Sequence, residues 1–140
     1  MTEKYKILGK YIKDLSSETK DAETYIFVRE NISKYKLGID ITSKAIKNKM
    51  IEVNTAIKFE DKNENQKKSY FEIIFSTIVK IDNDIQDKKV MEKIILCDVQ
   101  IEIYPDIEKT FLNLLHNSGY TGFKFEKKID FEKLYTQRFN

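Results

Sequence analysis

Hydrophobic and polar positions alternate through much of the first half of the chain. Leu37, Ile39 and Ile41 alternate with Gly38, Asp40 and Thr42. Ile51, Val53, Thr55, Ile57 and Phe59 alternate with Glu52, Asn54, Ala56, Lys58 and Glu60. A period of two in residues of this kind predicts strands with one wet face. The turn between them falls near Lys47 to Lys49, where Asn48 tolerates left-handed backbone. Asp61 to Lys68 carries no apolar residue and reads as an exposed hairpin loop. Ser69 to Ile81 places Phe71, Ile73 and Phe75 on one face and Tyr70, Glu72 and Ile74 on the other, with Ile78, Val79 and Ile81 continuing the run. A strand apolar on both faces is expected to be covered on both. Lys10 to Ser16 reads as a short strand with Tyr11 and Leu15 apolar, Ser17 to Ala22 as a turn, and Tyr25 to Val28 as a strand fragment or a loop that packs down. The short connections suit an antiparallel meander.

After Val90 the period changes. Pro105 is placed for a helix start, and Ile107, Phe111, Leu114 and Leu115 recur at helical spacing, with Leu112 widening the stripe. Gly119 is the natural stop. Tyr120 to Lys128 alternates weakly around Phe123 and Phe125 and reads as extended. Asp130 can cap a short final helix carrying Phe131, Leu134 and Tyr135. The pattern predicts an α+β fold: a four-stranded antiparallel sheet, a long helix and a short C-terminal helix. Residues 1–140 read as one domain.

Composition narrows the function. Apolar residues are 41% and charged residues 34%, with one proline, which is globular and not disordered. The net charge of +2 is small and well mixed, so nothing calls for a nucleic-acid partner. Cys97 is the single cysteine, which suits a reducing cytosol. Met1 to Lys6 is charged and shows no secretory signal, and no run approaches the roughly 18 apolar residues of a membrane span. The expected location is cytoplasmic, with no membrane insertion.

Candidate chemistry is sparse. Four glycines form no phosphate loop. His116, the sole histidine, has no Cys or carboxylate at ligand spacing and reads as a last-turn helix residue. Cys97, beside an apolar run, reads as a small buried hydrophobe. Glu52 and Glu60 read as solvated. No nucleophile, base and orienting group come together. The expectation is a binding protein that is not an enzyme, with no cofactor and no metal.

Three stretches carry a resemblance. Tyr11-Ile12-Lys13-Asp14-Leu15-Ser16-Ser17-Glu18 resembles the opening strand of SecB proteins, which reads Tyr-x-Lys-Asp-(Ile/Leu)-Ser-x-Glu. Ile103-Tyr104-Pro105 is similar to that family's (Leu/Ile)-Phe-Pro, and Ile129-Asp130-Phe131-Glu132-Lys133-Leu134-Tyr135 resembles its closing (Val/Ile)-(Asn/Asp)-Phe-x-x-Leu-(Phe/Tyr). Their order and separation agree from about Lys6 to Arg138. Departures are also visible. Val99-Gln100 stands where the family usually has Cys-Pro, Glu108 where it usually has arginine, and Ser76-Thr77-Ile78-Val79 where it often has Gly-Gly-(Ile/Val)-Phe. Most members are acidic, whereas this chain is slightly basic.

The resemblance implies a SecB-like fold and a cytosolic export chaperone, a homotetramer built as a dimer of dimers. Such a protein holds unfolded preproteins in apolar grooves and passes them to the SecA translocation motor. It implies a SecA contact through Asp14, Glu18, Tyr70 and Glu72, and an oligomer interface through Phe71, Ile73 and Phe75. Phe131, Leu134 and Tyr135 are groove candidates, with plain core packing as the alternative. Two other readings compete: a SecB-like chaperone dedicated to one client, as in toxin–antitoxin systems, and a small-molecule-binding α+β domain.

Overall fold

The computed structural model describes residues 4–63, 67–125 and 128–139. Strand β1 (Tyr5–Glu18) leads to helix α1 (Ala22–Asn31), a 3-10 turn (Ile32–Lys34) and strands β2 (Lys36–Ala45), β3 (Met50–Glu60) and β4 (Tyr70–Ile81). Helices α2 (Lys88–Lys93), α3 (Val99–Asn117) and α4 (Phe131–Phe139) follow, with a π-helical turn, Ile94–Asp98, joining α2 to α3. The fold is α+β, with one four-stranded antiparallel sheet in the order β1-β4-β3-β2. Strands β2, β3 and β4 form the expected meander. Strand β1 departs from it by crossing over to pair with β4. That pairs β4 along both of its edges and leaves β1 and β2 as the edges of the sheet. Cover on both faces of β4 is not what the chain itself provides: the Phe71, Ile73 and Phe75 face is buried, whereas Tyr70 on the other is 42% exposed.

Local chemistry explains most boundaries. At the β2–β3 hairpin the Met50 amide donates to the Lys47 carbonyl at 3.4 Å. Asn48 and Lys49 both have positive φ, at 64° and 62°. Two successive left-handed residues are what a type I′ turn demands. Strand β1 is longer than expected and is irregular at Leu8 and Lys13, where its register against β4 slips by one residue. Each slip shifts the alternation. Ile12 and Leu15, opposite Phe75 and Ile73, therefore share the core side, while Tyr11, opposite Ser76, points to the outer face. Residues 25–28 belong to helix α1, neither a strand fragment nor a loop. Asp21 caps it by accepting from the Thr24 amide at 2.8 Å. Only Thr24 and Val28 are buried there, so no apolar stripe announced the helix. Asp61, at the start of the expected exposed loop, is buried, and residues 64–66 of that loop lie outside the described residues.

The long helix starts earlier than Pro105, which sits inside α3. Apolar positions recur every four residues, at Ile95, Val99, Ile103, Ile107, Phe111 and Leu115, and all are buried. A four-residue repeat overruns a turn of 3.6 residues. The wider π turn takes up part of that excess. Gln100 completes the arrangement while fully buried. Its Nε2 donates to the Ile95 carbonyl at 3.1 Å, and its Oε1 accepts from Thr55 Oγ1 on β3 at 2.8 Å. A buried polar group is stable only when so paired, and here the pairing pins the helix to the sheet.

Phe71, Ile73 and Phe75 correct an expectation. The first two are 0% exposed and Phe75 6% within a single chain. Their face of β4 is covered by this chain's own helix α3, so the residues expected to meet another subunit are core. Phe75→Asp would place an unpaired carboxylate there and remove an aromatic ring. We expect a loss of at least about 4 kcal/mol, comparable with the stability of a whole domain. Circular dichroism and urea titration should show an unfolded or barely folded subunit. A folded Phe75→Asp monomer in light scattering would contradict the assignment to core.

Candidate functional site

An open groove of about 970 Å³ lies where α1, the start of β2 and the segment after α3 meet. Its apolar wall is aromatic. Phe59 of β3 lies 5.4 Å from Tyr35, 5.1 Å from Phe123 and 5.8 Å from Phe125, ring centre to ring centre. Phe123 and Phe125 meet edge to face at 5.0 Å, an arrangement that aromatic quadrupoles favour. Leu37 and Ile129 add aliphatic surface. The 121–125 stretch is a turn followed by irregular chain, with no strand. His116, in the last turn of α3, donates from Nε2 to the Phe123 carbonyl at 2.9 Å and so fixes this wall.

One corner of the groove is tightly built. Gly119 ends the helix at φ 107°, a conformation costly for other residues. The Tyr25 hydroxyl donates to the Gly119 carbonyl at 2.8 Å, and the Tyr25 and Tyr120 rings lie 5.5 Å apart. Arg29 stands over the Tyr25 ring at 5.7 Å. These contacts fasten α1 to the segment that closes the groove.

The expected groove residues lie elsewhere. Phe131 is 3% exposed and packs edge to face on Tyr104 at 5.4 Å. It is core, which was the alternative reading. Leu134 is 47% exposed and Tyr135 half-buried on α4, and neither lines the groove. Phe59, Tyr35 and Phe123 were not singled out from sequence as groove residues. The available signal was the density of aromatics in 120–125, a stretch too polar to be a regular strand.

The structure does bring together Asp14, Glu18, Tyr70 and Glu72. Glu18 is opposite Tyr70 and Ser16 opposite Glu72 in the β1–β4 ladder, on the outer face away from α3. Ser16 donates to Asp14 at 2.6 Å, and Glu72 is 3.6 Å from Lys58 Nζ. Desolvation, the hydrogen bond to Glu72 and the nearby charges of Glu72, Asp14 and Glu60 push the Tyr70 phenol up to about 12. It is therefore a neutral donor at physiological pH. Alongside, Glu52 accepts from Tyr11 at 2.9 Å and from Lys13 at 3.2 Å. The Tyr11 bond, then Lys13, hold its carboxyl below the ordinary range. Cys97 is buried, and burial pushes its thiol up. Among the described residues no group of His, Cys, Asp or Glu is placed to hold a metal ion, and no helix is long and apolar enough to cross a membrane.

Comparison with known proteins gives three findings. The family model described as SecB, preprotein translocase subunit SecB, matches residues 1–140. A protein of Pelagibacter ubique (strain HTCC1062), provisionally named protein-export protein SecB, is 65% identical over 140 residues and spans the whole of both chains. The SecB-like chaperone Rv1957 of Mycobacterium tuberculosis, solved in complex with a ChAD peptide from the Rv1956 HigA1 antitoxin, superposes with a TM-score of 0.65. That match covers 89% of this chain and 91% of the other, at 11% identity, so the likeness is one of fold.

The corner at Gly119 can be tested directly. A Cβ there would come within 2.5 Å of Tyr25 Cε1, on backbone that already disfavours one. Gly119→Ala should cost about 1–3 kcal/mol in urea denaturation. Gly122→Ala, which meets nothing within 4 Å, should change stability little. Equal effects at the two glycines would contradict this account of the corner.

Proposed function

The chain belongs to the SecB family, and on that premise we propose that it is a cytoplasmic holdase that keeps preproteins unfolded and hands them to the SecA motor without catalysing a reaction. The observation that carries this reading is the aromatic groove beside the start of edge strand β2. Unfolded chains differ from folded ones in offering both apolar side chains and free backbone groups. An aromatic trough gives large contact area at low entropy cost. The unpaired edge of β2 can take up an extended segment as an added strand. The fold neighbour from Mycobacterium tuberculosis was itself solved with a peptide, which is the class of cargo proposed here.

Assembly into a homotetramer, a dimer of dimers, is assigned to the opposite edge. Strand β1 has 14 residues and exposes Leu8, Tyr11, Ile12 and Leu15. A long apolar edge invites a further strand, and a second copy of β1 would cover it. Ile101 of α3 is also exposed and is available to such packing. The outer-face cluster of Asp14, Glu18, Tyr70 and Glu72 is assigned to SecA, because carboxylates on an open sheet face suit a basic partner.

Holding is tested with a slow-folding client. The protein should delay its aggregation at stoichiometric ratios, with no effect of nucleotide. Leu37→Ser combined with Phe123→Ser should remove most of that delay while circular dichroism stays near wild type. Undiminished protection by the folded double variant would move the groove elsewhere, and no protection by wild type would end the holdase reading.

Docking is tested with Asp14→Asn, Glu18→Gln and Glu72→Gln. Each is expected to weaken affinity for the cognate SecA and to flatten its salt dependence, with native mass unchanged. Affinity equal to wild type in all three would place docking on another surface.

A further inference from the structure

The client groove has an unusual charge balance. Arg29, Lys36, Lys124 and Lys128 stand around its rim, and no carboxylate is among the described residues that line it. All four cations are exposed, and none makes an ion pair among the described residues. The nearest register partner of opposite sign is Glu60, across from Lys36 on the β2–β3 ladder. Glu126 and Lys127 lie outside the described residues. The whole chain carries only +2, yet this one site gathers four cations over an aromatic floor. The carboxylates Asp14, Glu18 and Glu72 lie instead on the outer face of the sheet.

We propose that this groove selects extended client segments whose aromatic or aliphatic side chains are flanked by aspartate and glutamate, and disfavours the same segments flanked by lysine and arginine. The inference rests on the reading of the groove as the client site. The aromatic floor supplies affinity that is indifferent to flanking charge. The rim supplies the discrimination, because each client carboxylate can meet an exposed cation and each client lysine is repelled. One exposed pair contributes a factor of about 1.4 to 5 in affinity. Two or three formed together multiply to a factor of about 2 to 100, and repulsion of basic flanks widens the gap. These are solvent-exposed charges, so salt should erase the discrimination while leaving the apolar contribution.

The test uses the intact assembled protein and three labelled, unstructured peptides that share one aromatic and aliphatic pattern, flanked by aspartate, serine or lysine. Fluorescence anisotropy should rank them aspartate, serine, lysine in falling affinity. The first and last should differ by at least about tenfold at low salt and converge as salt rises. Lys124→Glu combined with Lys128→Glu, both at exposed positions, leaves Arg29 and Lys36 facing two carboxylates and should bring the three affinities together. Equal affinities for all three peptides in wild type, or tightest binding of the lysine-flanked one, would overturn the inference and leave the holdase reading standing. Failure of all three to bind would sink the holdase reading and the inference with it.

Discussion

The ring of Phe59 joins the hydrophobic core to the groove. It packs against Phe71 of the same sheet at 6.2 Å and Phe111 of α3 at 6.5 Å, and its other neighbours are the groove rings of Tyr35, Phe123 and Phe125. Each pair contributes about 0.5–1.5 kcal/mol beyond the area it buries. One residue therefore couples folding to the shape of the site. Residues 121–125 after α3 form no strand, and these rings, with His116 on the Phe123 carbonyl, hold them in place.

The buried pairing of Gln100 has a similar double use. It satisfies the Ile95 carbonyl of the π turn and anchors the helix to Thr55. Gln100 occupies the place where SecB proteins usually have the proline of Cys-Pro. A side-chain amide here supplies a donor that proline has no means of giving.

Charge is divided between two surfaces. Cations rim the groove, and a carboxylate cluster with a neutral, donor-bearing Tyr70 occupies the outer face of the sheet. The near-zero net charge conceals this separation. Neutralisation across the whole molecule therefore says little about what either surface would attract, because exposed charges act within about 10 Å at ordinary salt.

Periodicity determined the α+β class, the three-strand meander and the helical stripe after Val90, and residue chemistry the Asn48 turn and the Asp130 cap, which accepts from the Lys133 amide at 3.0 Å. These depend on neighbours close in sequence, where alternation and capping chemistry are explicit. The face on which Tyr70 and Glu72 sit was legible for the same reason, since alternation along one strand needs no partner. The crossover of β1, the irregularities at Leu8 and Lys13, and helix α1 were not legible, because each depends on what lies opposite. An apolar strand face looks the same whether another subunit or the chain's own helix covers it, so only the packing of α3 decided that Phe71, Ile73 and Phe75 are core. The groove is the extreme case. Tyr35, Phe59 and Phe123 are far apart in the chain, and a site made by their convergence exists only once the sheet, the helix and the segment after it have been brought together.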